Sequence, residues 1–329
     1  MKDILTAPFM VEMIRTTTNM YNHGWDERNG GNISLLLDEA EVAEYLDTTR
    51  VLRTIPTGFS APSLAGKYFL VTGTGKYFKN VDSDDTLSGG FPAFLDELER
   101  VDREGGVDIF FTNYYYVHTD GVGDRSINLS NAFPENRVFT WADTKSFRVD
   151  QVLMLHTCTF STQMLRDTGI ELPLHMFYED NYMVYGNLKN AERMYYINTD
   201  LYRYTIGREG QSMAEESMKK RYTHQLKAAE LCFTSFHLDD VPDRRKRKYL
   251  SHELFILLGG AIFFARLNRT EESDAKLEEM WENCRAYDRK WADHFRYRTP
   301  LLFLMFPGRF GQSMSGFFYR VSRKVVKFN

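Results

Sequence analysis

Cysteine is scarce in this chain. The three residues, Cys158, Cys232 and Cys284, are too few for a disulfide framework and too scattered for a CxxC zinc pair, so a reducing, cytoplasmic setting is expected. Charge of one sign is lacking as well. With 41 Lys and Arg against 45 Asp and Glu, the formal net charge is -4, which gives no basic face for a nucleic acid to meet. The longest apolar run, Leu254 to Ala265, falls short of the ~20 residues that span a bilayer. Glu12 and Arg15 interrupt the apolar pattern near the start, unlike a secretory leader. Histidine is thinly spread. None of the eight (His23, His118, His156, His175, His224, His237, His252 and His294) lies two residues from another, so there is no H-x-H metal pair.

What is present is apolar and aromatic, 43% and 15% of 329 residues, enough to bury the cores of two domains. Met10, Met13, Ile14, Thr17 and Tyr21 recur at helical spacing, with Gly24 placed to end that helix. Ile33 to Leu37, Tyr68 to Val71, Phe78 to Val81 and Val107 to Val117 read as strands, and Phe91, Phe94, Leu95 and Leu98 as a helix. Charged helical stretches fill about 213 to 237, 244 to 266 and 271 to 294.

Two glycine loops stand out: Gly24-Trp25-Asp26-Glu27-Arg28-Asn29-Gly30-Gly31-Asn32 and Thr72-Gly73-Thr74-Gly75-Lys76. Glycines let backbone N–H groups turn toward an anion while Asn and Thr add donors; the same residues also suit ordinary turns. Together with Phe69-Leu70-Val71 the loops resemble the start of class II aldolases of the rhamnulose-1-phosphate type. The resemblance implies that Asn29, Gly31, Asn32, Thr74 and Gly75 cradle the substrate phosphate. That family's zinc ligands, an H-x-H pair and a distant His, have no counterpart here.

Three further motifs follow. Tyr77-Phe78-Lys79-Asn80-Val81-Asp82-Ser83-Asp84-Asp85 is an apolar strand ending in acids; Leu172 to Phe177 leads into Tyr178-Glu179-Asp180; and Leu201 to Ser212 carries Arg208, Gln211 and Ser212. In this order they resemble family 2 glycosyltransferases with the GT-A fold. The resemblance implies that Asp82, Asp84 and Asp85 hold Mg²⁺ or Mn²⁺ on the diphosphate of a UDP-sugar donor. It makes Asp180, beside Glu179, the base for an inverting transfer, and Arg208, Gln211 and Ser212 the binders of diphosphate and acceptor. Read without it, the acids equally suit helix N-termini. The family's opening P-x-Y-N and D-G-S strands are missing, with the aldolase-like segment in their place.

The expectation is an α/β chain with a GT-A-like (Rossmann-like) sheet, incomplete in its N-terminal half, and a helical C-terminal extension. Its divisions fall at 1–80, 81–212 and 213–329. The expected function is transfer of sugar to a cell-surface polysaccharide or lipid-linked acceptor, impaired by the missing donor half. Its alternatives are a zinc-dependent aldolase lyase or a non-catalytic membrane-associated protein. The run Arg244-Arg245-Lys246-Arg247-Lys248 and the basic aromatic tail from Pro307 suggest peripheral contact with anionic lipid.

Overall fold

The computed structural model describes residues 2–22, 34–49, 67–71, 77–79, 81, 85–119, 124–148, 151–206, 215–306 and 314. The chain divides into two compact units, Met1–Gly75 and Lys76–Asn329.

In the first unit α1 (Pro8–Asn22) precedes β1 (Ser34–Asp38), α2 (Glu39–Val42) and β2 (Lys67–Val71). The Asp38 N–H donates to the Glu41 carboxylate at 2.8 Å, holding the turn from β1 into α2. Ala7, Phe9, Leu37 and Val42 form a small core. β1 and β2 are antiparallel, from Ser34 opposite Val71 to Asp38 opposite Lys67.

The second unit begins with β3 (Tyr77–Phe78), β4 (Thr86–Leu87), α3 (Phe91–Arg103), β5 (Ile109–His118) and β6 (Arg125–Ile127). After these come β7 (Val138–Phe139), β8 (Cys158–Ser161), α4 (Thr162–Thr168), α5 (Glu179–Leu188) and β9 (Met194–Ile206). The sheet order is β3-β8-β5-β9-β4, with β6 on β5 and β7 on β9. β5 and β9 run parallel, and the other pairings are antiparallel. This is a mixed α/β sheet, and nothing in its order is specific to a GT-A fold. β3 is shorter than the expected strand, its pairing with β8 stopping at Phe78 opposite Phe160; Lys79 beyond it turns its ammonium onto the carbonyls of His156 and Cys158.

Helices complete the unit: α6 (Glu215–Lys220), α7 (Tyr222–Thr234), α8 (Arg244–Asn268), α9 (Glu271–Tyr287), α10 (Arg289–Arg298) and α11 (Leu301–Leu304). Asp243 caps α8 by accepting from the Arg245 and Lys246 N–H groups at 2.8 Å each. Leu250, Leu254, Ile262 and Trp281 share one buried cluster with Ile109, Phe111, Phe160 and Met194 of the sheet. Each fully buried side chain of this kind contributes about 1.5–3 kcal/mol. α8 is 25 residues long and contains an 18-residue stretch of mean hydropathy 1.5, long and apolar enough to cross a membrane. That exceeds the apolar run visible in the sequence, yet its apolar face is packed into this core.

Candidate functional site

The first candidate site is built on the β1–β2 pair. Because Ser34 lies opposite Val71, the chain enters β1 and leaves β2 at the same end of the pair. The two glycine loops join the described strands at that end. Asn29, Gly31, Asn32, Thr74 and Gly75 themselves lie outside the described residues, as do Asp82, Asp84, Arg208, Gln211 and Ser212.

The second unit gathers charge and tyrosine around Asp85, whose side chain is buried. Its carboxylate accepts the Tyr202 hydroxyl at 2.7 Å and the Thr205 N–H at 2.8 Å, tying the approach to β4 onto β9. The His156 ring lies edge-on to Tyr114 at 4.1 Å and stacks on Tyr202 and Tyr204 at 5.1 and 5.3 Å. Burial pushes His156 down to about 3, helped by the nearby Lys79 charge, and pushes Lys79 down to about 8. The same burial raises Cys158 to about 12, so its thiol stays protonated and unreactive at neutral pH.

Glu179 and Asp180 occupy the first turn of α5, where carboxylates favour the helix dipole. Tyr178 just before them is left-handed, with φ 68°. Asp180 accepts from the Asn181 amide at 3.2 Å. The preceding loop docks on α7: the Phe177 N–H donates to His224 Nδ1 at 3.2 Å, and the Arg221 guanidinium lies 3.7 Å over the Phe177 ring.

Sequence reasoning passed over a polar knot in the sheet. The β5–β9 register shifts at Asn113, a bulge of the kind that re-aims side chains. Buried Asn113 accepts the Tyr196 hydroxyl at 2.6 Å and the Leu129 N–H at 3.1 Å, and its amide donates to Asn198 at 2.8 Å. The signal was Thr112-Asn113 inside an otherwise apolar strand run, since buried polar groups must find partners.

The basic run of α8 is partly turned inward. Lys246 is buried, donating to the Lys189 carbonyl at 2.8 Å and to Glu192 at 2.5 Å. Arg245 holds the carbonyls of Ala142 and Thr144. These contacts give lipid association no support. The tail beyond Phe306 lies outside the described residues except Met314.

Among the described residues the histidines do not converge on a common point. His118 meets Asp124, His237 meets Asp288 at 3.1 Å and stacks on Tyr287, and His294 packs on Trp291 and Phe295. Among the described residues no three His, Cys, Asp or Glu side chains gather to hold an ion. The described residues do not fit the zinc centre of a class II aldolase.

The chain enters β1 and leaves β2 at one end of the strand pair, and similarity to known proteins lies with class II aldolases of the rhamnulose-1-phosphate type. A segment of 89 residues, 27% of the chain, is 62% identical to rhamnulose-1-phosphate aldolase of Listeria monocytogenes serovar 1/2a, covering 33% of that enzyme. The Enterococcus faecalis aldolase is 63% identical over 79 residues, 24% of this chain and 28% of its own. That of Shigella boydii serotype 4 is 44% identical over 106 residues, 32% and 36% of the two chains. The chain thus spans about a third of the length of the curated relatives it matches. No family model matches it. These relatives overturn the expectation of an inverting, UDP-sugar-dependent glycosyltransferase in polysaccharide biosynthesis.

Proposed function

We propose that this chain recognises a ketose 1-phosphate, or its cleavage product dihydroxyacetone phosphate, through an aldolase-derived cradle formed by Asn29, Gly31, Asn32, Thr74 and Gly75. The observation that carries the reading is 62% identity to an aldolase over 89 residues. The β1–β2 register is consistent with it, since Ser34 at the start of β1 lies opposite Val71 at the end of β2. Backbone N–H groups released by glycine and the Asn and Thr donors are the chemistry a phosphate dianion requires. In class II aldolases a divalent metal polarises the carbonyl, and the dispersed histidines of this chain do not supply its ligands. The reading is therefore phosphosugar binding of the class II aldolase type, with the lyase step absent. An assay of the intact chain with added zinc and rhamnulose 1-phosphate tests it. Substrate should be bound without release of dihydroxyacetone phosphate. Release abolished by Asn29→Ala would move the reading to a working lyase, and failure to bind at all would end it.

A further inference from the structure

A cavity of about 370 Å³ opens in the second unit between the segment before Arg148 and the first turns of α8. That volume falls in the range of small-molecule sites, about 300–1,000 Å³. Its charged lining consists of Lys145, Arg245 and Lys248 with no carboxylate among the lining residues. Arg245 braces the wall, donating to the Ala142 carbonyl and to the Thr144 carbonyl at 2.6 Å. Lys145 and Lys248 are exposed, and neither forms an ion pair among the described residues.

Phe147 and Tyr249, with ring centroids 4.4 Å apart, give the cavity an apolar side. The Tyr249 hydroxyl is engaged by the Leu153 N–H at 2.8 Å. His252 also lines the cavity; its ring hydrogen-bonds to the Arg148 backbone, while Nε2 is buried and without a partner. Burial, and to a smaller degree the Lys248 charge, lowers its pKa. Uncompensated cations around a concave, half-apolar wall repel one another until an anion enters; the oxygens of a phosphate monoanion accept from both ammonium groups, and its hydroxyl donates to an orphaned imidazole nitrogen.

We propose that this cavity binds a phosphomonoester, with Lys145 and Lys248 holding the phosphate, His252 Nε2 accepting from the hydroxyl of its monoanion, and the organic portion lying on Phe147 and Tyr249. The site is separate from the cradle of the first unit. The same headgroup chemistry occurs on a soluble ester and on phosphatidate, and two probes distinguish them.

The His252 resonance of the intact chain, assigned from its loss in His252→Gln, should shift on titration with glycerol 3-phosphate. It should do so equally in Asn29→Ala, which removes a cradle residue and leaves this site alone. Lys145→Ala/Lys248→Ala should weaken the titration at least tenfold, while Lys145→Arg/Lys248→Arg retains it, showing that charge and not a lost fold is responsible. Sedimentation with phosphatidylcholine vesicles containing phosphatidate, lost in the double alanine variant, assigns the ligand to a lipid headgroup. Titration by the free ester without sedimentation assigns it to a soluble one. A resonance unmoved by either probe, or equal affinity in the double alanine variant, overturns the proposal.

Discussion

Replacing Glu253 by glutamine should change how stability depends on pH. Glu253 is 2% exposed on α8, bonded to the Tyr249 hydroxyl, with Oε2 lacking any partner. Burial strips water from its charged form and pushes its pKa from 4.5 to about 8. Between those values the unfolded chain has released this proton and the folded chain retains it. The folded state then binds more protons, and stability falls as pH rises, by about 1.4 kcal/mol per unit. His156, lowered from 6.5 to about 3, acts in the opposite sense. Its folded form stays neutral where the unfolded one is charged, so stability falls as pH drops below 6.5. Half-buried His252 is lowered as well, so between pH 4.5 and 6.5 the histidines together oppose the Glu253 slope. From 6.5 to 8 Glu253 acts alone, costing roughly 2 kcal/mol across the interval. Lys79, pushed down to about 8, adds slope only above that. Urea unfolding followed by tryptophan fluorescence at several pH values from 6.5 to 8 should show this slope in the parent. Glu253→Gln, which keeps an acceptor for Tyr249 and cannot ionise, should remove it. Equal slopes in both proteins would refute the argument.

Two further substitutions test the packing of the second unit. Trp281→Ala empties a fully buried position in the shared helix–sheet core and should cost about 3–5 kcal/mol in the same unfolding measurement. Asn113→Leu leaves the Leu129 N–H without its acceptor and the Tyr196 hydroxyl with only the longer bond to Asn198 and should cost about 1–3 kcal/mol, whereas Glu99→Ala, at an exposed position, should cost less than about 1 kcal/mol.

Regular elements were legible where periodicity is strong. The apolar runs around Leu35, Phe69 and Phe111 become β1, β2 and β5, and the spacing of Phe91, Phe94 and Leu98 becomes α3. The aldolase-like segment was legible from Asn-Gly-Gly-Asn and Thr-Gly-Thr-Gly flanking two strands, and the aldolase relatives match over it. The transferase reading rested instead on short acidic motifs, which many folds share. Asp85 serves as an internal acceptor for Tyr202 and Thr205, and Glu179 and Asp180 open a helix. Such uses leave the same letters in the sequence. The α8 cations were equally opaque. Lys246 and Lys248 stand two residues apart, yet one is buried on Lys189 and Glu192 and the other faces solvent at a cavity rim. Only tertiary packing separates them.

The central claim is phosphosugar recognition by the aldolase-like segment, and calorimetric titration of the intact chain with dihydroxyacetone phosphate in EDTA tests it most directly. The account predicts saturable binding that persists without metal, is lost in Asn29→Ala, and survives in Lys145→Ala/Lys248→Ala. Heat indistinguishable from dilution in the parent, or binding unaffected by Asn29→Ala, would contradict it.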